Sequence, residues 1–185
     1  QDISSMLVGE LADPKKGDRV IDVCAAPGGK ALHVAEKLRG TGSVEARDLS
    51  LYKVGLITEN IERSGLTNIH AVQKDATVCD ADVKDAADLV IADLPCSGLG
   101  VFGKKPDLKY RVKEEDLKEL AGLQRKILEN AQAMVKKGGT LLYSTCTIDP
   151  MENEENVHWF LKKYPQFSLN SIREKLCPQL AESVE

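Results

Sequence analysis

No stretch of the chain comes near the roughly 20 uninterrupted apolar residues that a membrane helix requires. The opening Gln1-Asp2-Ile3-Ser4-Ser5 has neither the basic nor the apolar region of a secretory signal. A cytoplasmic protein without membrane attachment is expected. No two of the five cysteines stand at C-x-x-C spacing, and an odd number cannot complete a disulfide framework. Free thiols in a reducing compartment are the expectation. His33, His70 and His158 show no metal-ligand spacing, so no metal is expected. The net charge of −4 denies the chain the overall basic face of most nucleic-acid binders, so such a partner would need a local patch. An initiator Met is lacking, which suggests a piece of a longer chain. Repeats and low-complexity linkers are absent too. What remains, 185 residues with 42% hydrophobic and 29% charged, is ordinary for one soluble domain acting as a monomer.

The most informative stretch is Asp22-Val-Cys-Ala-Ala-Pro-Gly-Gly-Lys30. An apolar run, Arg19-Val20-Ile21, precedes it, and Leu32, Ala35 and Leu38 follow at helical spacing. The pattern predicts strand, tight glycine turn and helix, a form in which glycines admit a ligand close to the backbone and helix-opening N–H groups face it. It matches neither the dinucleotide nor the phosphate-loop signature. A nucleotide-like ligand is expected, its identity open.

The periodicity continues as strand and helix in alternation. A lead-in helix runs from Ser5 to Leu11, and the helix after the glycine turn ends at Arg39. A strand follows over 42–48, then a helix with Leu51, Val54, Ile57 and Ile61 on one stripe, closing at Ser64-Gly65. Strands are predicted over 68–74, 88–94 and 140–145. Between the last two, Lys113 to Lys137 reads as a helix that Gly138-Gly139 stops. A helix from Met151 to Lys163 and a weak strand near Phe167 to Leu169 come next, and Ser171 to Glu185 is undecided. Such alternation implies a doubly wound, mostly parallel sheet with helices on both faces. Right-handed crossovers then put every strand's carboxyl end on one edge. The glycine turn, Asp48, Asp75, Asp93 to Cys96 and Thr145-Cys146 all fall on that edge, where such folds bind ligands.

Each candidate there has a plain alternative. Asp48, about 20 residues past the glycines, suits a ribose diol or a helix cap. Asp75 suits a base edge or a turn. Asp93 ends an apolar strand, where a charge needs a partner. Cys24 is small enough to fill a buried strand, and Cys79 and Cys177 are silent. Cys96 and Cys146 at strand ends are each as readily inert as reactive, but together they call for thiol chemistry. Lys104, Lys105, Lys109 and Arg111, set against Asp107 alone, form the one basic stretch. It is either a solvated segment or a phosphate contact, with Phe102 and Tyr110 available for stacking.

Four motifs, Asp22 to Lys30, Asp93-Leu-Pro-Cys-Ser-Gly98, Pro106-Asp107 and Tyr143-Ser-Thr-Cys-Thr147, closely resemble those of the AdoMet-dependent RNA cytosine-5 methyltransferases, most of all the catalytic domain of a bacterial 16S ribosomal RNA enzyme. The resemblance runs from Gln1 to the Glu152-Asn153-Glu154 helix and implies a Rossmann-like class I methyltransferase fold. By that likeness the cofactor is S-adenosyl-L-methionine (AdoMet) and the partner is ribosomal RNA with a single-stranded or flipped cytosine. Cys24, Ala25, Ala26, Pro27, Gly28, Gly29 and Lys30 line the methionine and ribose end, Asp48 takes the ribose, Asp75 the adenine side, and Asp93 borders cofactor and base. Cys146 is the nucleophile and Cys96 assists release.

Chemistry agrees. Carbon 5 of cytosine becomes nucleophilic enough to take a methyl group once a thiolate has added to carbon 6. The later loss of the carbon 5 proton gives a second thiol a task. A protonated Asp93 would donate to the ring nitrogen. Cys96 as the attacking thiol, as in DNA cytosine-5 methyltransferases, and a catalytically silent RNA-binding module are the competing readings. Leu94, where the family commonly has Ala or Pro, and Arg47 beside Asp48 depart from the pattern. The family's upstream RNA-binding domain and last hairpin strand are expected to be missing, leaving residues 1–185 as the catalytic domain.

Overall fold

In the computed structural model, residues 3–101, 103 and 113–182 are described. The basic stretch with Lys104, Lys105, Lys109 and Arg111, together with Phe102, Pro106, Asp107 and Tyr110, lies outside them.

Five parallel strands form one sheet: β1 (Arg19–Asp22), β2 (Ser43–Asp48), β3 (Ile69–Gln73), β4 (Ala87–Asp93) and β5 (Val135–Ser144), in the order β3-β2-β1-β4-β5. The chain winds outward from β1 to β3, then crosses to β4 and β5, so the order reverses between β1 and β4. In such sheets that reversal opens a crevice at the carboxyl ends.

Both faces are covered, which explains the unbroken apolar run of β4. Side chains alternate across the sheet. Val20, Val44, Leu89 and Ile91 face α2 (Gly29–Lys37) and α3 (Leu51–Ser64), with Ala31, Val34, Leu38 and Ile57 packed on them. Ile21, Val23, Val90 and Ala92 face α4 (Glu114–Met134) and α5 (Glu154–Lys163), through Ile127, Leu128, Ala131, Met134 and Phe160. The lead-in helix α1 (Ile3–Ala12) docks on α2, where Glu10 pairs with Lys37 at 2.6 Å and His33 at 3.2 Å.

Three expectations need correction. The helix predicted to Lys137 ends at Met134, and Lys136 to Gly139 belong to the next strand as a bulge: Ala87 pairs with Val135, but Leu89 already pairs with Thr140. The segment Met151 to Lys163 is not one helix. A 3-10 turn, Pro150–Glu152, is divided from α5 by Asn153 at φ −117°, ψ −95°. Phe167 to Leu169 is not a strand: the Phe167 N–H is spent on the Tyr164 carbonyl, and its ring packs 5.1 Å from that of Phe160. The undecided tail holds a 3-10 turn, Arg173–Lys175, and one helical turn, α6 (Pro178–Ala181).

Candidate active site

The glycine turn is built by backbone. Gly28 sits at φ +105°, a left-handed conformation that side chains disfavour, and a Cβ there would lie 3.4 Å from Ile57. Its N–H donates to the Ala25 carbonyl at 2.7 Å, and the Ala25 N–H donates to Arg47 O on β2 at 2.8 Å. The loop is thereby tied to the neighbouring strand. No side chain caps α2, so its first N–H groups remain available to a ligand. Asp22, Cys24, Ala25, Ala26, Pro27, Gly29, Lys30 and Asp93 surround a cleft of about 170 Å³.

Asp22 was missed as a site residue although it opens the motif. It is buried, one oxygen accepts from the Cys24 N–H at 3.3 Å, and the other has no partner. Burial, with Asp93 and Asp48 nearby, pushes its carboxyl up to about 7. Such a group suits a ligand donor or cation. Burial also pushes the Cys24 thiol up to about 12, so Cys24 is lining rather than nucleophile.

Asp48 accepts from the Ala26 N–H at 3.3 Å and, weakly, from the Ser50 N–H at 3.5 Å where α3 begins. Arg47 does not pair with Asp48. It turns to Glu45 at 2.5 Å and Asp80 at 3.1 Å and is buried between them. Asp75 stands apart from the cleft lining, exposed, its carboxylate accepting from the Thr77 N–H at 2.8 Å and hydroxyl at 2.6 Å. Asp93 finds its partners in Lys30 Nζ at 2.7 Å and the Ser144 hydroxyl at 2.7 Å.

The two strand-end thiols meet. Cys96 Sγ lies 3.2 Å from Cys146 Sγ although 50 residues separate them. A hydrogen bond from Cys96 holds the Cys146 thiol well below its ordinary range, with Lys30 adding a smaller effect in the same direction, while Cys96 is raised in turn. The Cys146 N–H also donates to Cys96 Sγ at 3.2 Å. The sulfur–sulfur hydrogen bond can serve a thiolate on either cysteine; Lys30 favours Cys146, while the Cys146 N–H favours Cys96. Gly100 supports the Cys146 backbone from below: its N–H donates to the Cys146 carbonyl at 3.0 Å, and a Cβ would lie 2.9 Å from that oxygen.

Beneath the thiols is a buried polar network that periodicity did not single out. Glu152 accepts from Ser97 and Gln124, and Asn156 Nδ2 donates to Gln124 Oε1 at 2.8 Å. A signal existed. Glu152 and Asn156 precede Phe160 at intervals of four, which places polar residues on an apolar stripe, and Gln124 interrupts the stripe of α4 in the same way.

Among the described residues, no group of three His, Cys, Asp or Glu could hold a metal ion, and no helix is long and apolar enough to cross a membrane.

A five-stranded parallel sheet with a glycine-turn cleft at its β1/β4 crevice and two thiols at its rim defines a Rossmann-like methyltransferase. The sequence comparisons narrow this: residues 10–183 match the 16S rRNA methyltransferase RsmB/F family, and the chain belongs to that family, whose cofactor is AdoMet. It is 47% identical over 180 residues to the probable ribosomal RNA small subunit methyltransferase B of Bacillus subtilis, covering 97% of this chain and 40% of that protein. To ribosomal RNA small subunit methyltransferase F of Klebsiella pneumoniae the identity is 37% over 168 residues, 90% of this chain and 35% of the relative. The solved structure of NSun6 from Pyrococcus horikoshii with SFG superposes with a TM-score of 0.81 at 37% identity, over 88% of this chain and 41% of that one. This chain therefore spans about 40% or less of the length of these two curated relatives.

Proposed function

We propose that residues 1–185 are the catalytic domain of an enzyme that methylates carbon 5 of a cytosine in small-subunit ribosomal RNA, through a covalent bond between Cys146 and carbon 6. The observation that carries this is the 3.2 Å approach of Cys96 and Cys146 beside the Lys30–Asp93 pair. The residues of the cleft fit AdoMet: the partnerless oxygen of Asp22 suits its ammonium group, the open N–H groups of α2 suit its carboxylate, and Asp48 suits its ribose. AdoMet would supply an electrophilic methyl group, its sulfur keeping the electron pair of the broken methyl–sulfur bond as a neutral thioether.

The chain's own residues do the rest. The Cys146 thiolate attacks carbon 6, and the ring's electron pair moves to carbon 5, which takes the methyl. Charge building on the ring nitrogen is met by the Lys30–Asp93 pair, whose proton donor is the Lys30 ammonium. Once Cys146 is bonded to carbon, Cys96 has lost its hydrogen-bond acceptor. Having released its own proton to solvent, it accepts the carbon 5 proton as a thiolate, the carbon 5–carbon 6 double bond re-forms and Cys146 leaves with its electron pair. Lys104, Lys105, Lys109 and Arg111 supply RNA phosphate contacts in this reading.

The backbone N–H on Cys96 favours a second reading in which Cys96 attacks. Two variants separate them. Cys146→Ala is expected to abolish 5-methylcytosine formation, and Cys96→Ala to accumulate an RNA–protein adduct on a denaturing gel. Normal methylation by Cys146→Ala would overturn the assignment.

A further inference from the structure

A carboxylate buried among neutral groups has given up its hydration for hydrogen bonds alone, and an apolar side chain of similar volume would serve stability as well. Glu152 is in that position, fully buried. One oxygen accepts from the Ser97 N–H at 3.0 Å and from Gln124 Nε2 at 2.7 Å, and the other accepts from the Ser97 hydroxyl at 2.5 Å. Gln124 Nε2 donates as well to the Pro95 carbonyl at 2.9 Å. Both neighbours of Cys96 are thus held, Ser97 by the carboxylate itself and Pro95 through Gln124.

The next residue does the same for the other thiol. Asn153 Oδ1 accepts from the Thr145 hydroxyl at 2.6 Å, and Asn153 Nδ2 donates to the Thr147 carbonyl at 3.0 Å. A cross-link joins the two loops, since the Ser97 and Thr147 hydroxyls lie 2.8 Å apart. The break in the helix at Asn153 lets two consecutive side chains reach in different directions, one to each loop.

We infer that Glu152 and Asn153 are positioning residues that together set the separation of the Cys96 and Cys146 sulfurs, Glu152 by holding the loop after β4 and Asn153 by holding the loop after β5. The inference rests on the reading of the two cysteines as a working pair. Alanine at 152 removes the contacts to the Ser97 N–H, the Ser97 hydroxyl and Gln124. Alanine at 153 removes both contacts to the Cys146 loop.

Phenylarsine oxide, which chelates two thiols only when they are adjacent, tests this on the 185-residue chain without RNA. Cys96→Ser gives the single-thiol reference. Glu152→Ala and, separately, Asn153→Ala are each expected to weaken capture about tenfold, the size of one lost buried hydrogen bond, with AdoMet affinity unchanged. In the Cys96→Ser background neither is expected to weaken it further. Wild-type capture by either variant while it remains folded would overturn the inference. So would a loss that persists in the Cys96→Ser background or that only follows the unfolded fraction seen by circular dichroism. The readout needs no methyl transfer. Weakened capture in a protein that makes no 5-methylcytosine would therefore sustain the clamp and defeat the functional reading, while normal methylation with unaltered capture would do the reverse.

Discussion

The two ends of the crevice are made differently. At the glycine-turn end, residues of one turn form most of the wall, with Ser5 and Asp93 completing it, and backbone contacts shape that turn: Gly28 N–H to Ala25 O, and Ala25 N–H to Arg47 O. At the thiol end, the geometry comes from side chains of four separate segments, the loops after β4 and β5, α4 and the turn at Glu152. A cradle built from local backbone depends on few residues. A thiol pair held by converging side chains can be loosened from any of them.

Variants sort along that difference. The largest effect is expected from Cys146→Ala, a loss of about 10⁴-fold or more in methylation rate, as when other enzymes lose their nucleophile, with AdoMet affinity by calorimetry intact. Equal losses in both measurements would erase the distinction between the ends. Gly28→Ala should do the opposite. The left-handed backbone costs a side chain about 1–2 kcal/mol, so AdoMet affinity should fall roughly tenfold while phenylarsine oxide capture by the thiols stays normal.

Asp22→Asn sharpens the account of the cradle. Its carboxyl is raised in the folded protein, so between about pH 4 and pH 7 the folded state holds a proton that the unfolded chain has released. Stability of the ligand-free protein should therefore fall as pH rises through that window. The Asn variant should lose this dependence in thermal melts and melt higher at pH 7, yet bind AdoMet more weakly. A flat wild-type profile would show that the carboxyl is not raised. Smallest of all, Asp75→Ala should change AdoMet affinity by no more than about twofold, because its carboxylate is exposed and occupied with Thr77. A larger loss would return Asp75 to the adenine side.

The same difference decides what the sequence could convey. The sheet, its parallel sense and the ligand-type glycine turn were legible because periodicity and a glycine turn are local properties. The meeting of Cys96 and Cys146 followed once both were placed on the carboxyl edge, although their 3.2 Å approach did not. Lys136 to Gly139 misled, since a basic last turn with glycines reads as a helix stop, whereas here four residues bulge against Asp88. Arg47 was ambiguous because Glu45 shares its face of β2 by local spacing, whereas Asp80 comes near only in the fold. Glu152 stayed hidden for a related reason: an acid near a helix start ordinarily faces solvent, and only the packing of α4 against the turn reveals what it holds.

The central claim is that Cys146 bonds to the target cytosine with Cys96 poised to release it. It is tested most directly by incubating Cys96→Ala with AdoMet and small-subunit ribosomal RNA, digesting both polymers and sequencing the cross-linked peptide by mass spectrometry. The account predicts a methylated cytosine attached to the peptide that carries Cys146. A nucleotide attached to any other residue, or free 5-methylcytosine forming at the wild-type rate with no cross-link at all, would contradict it.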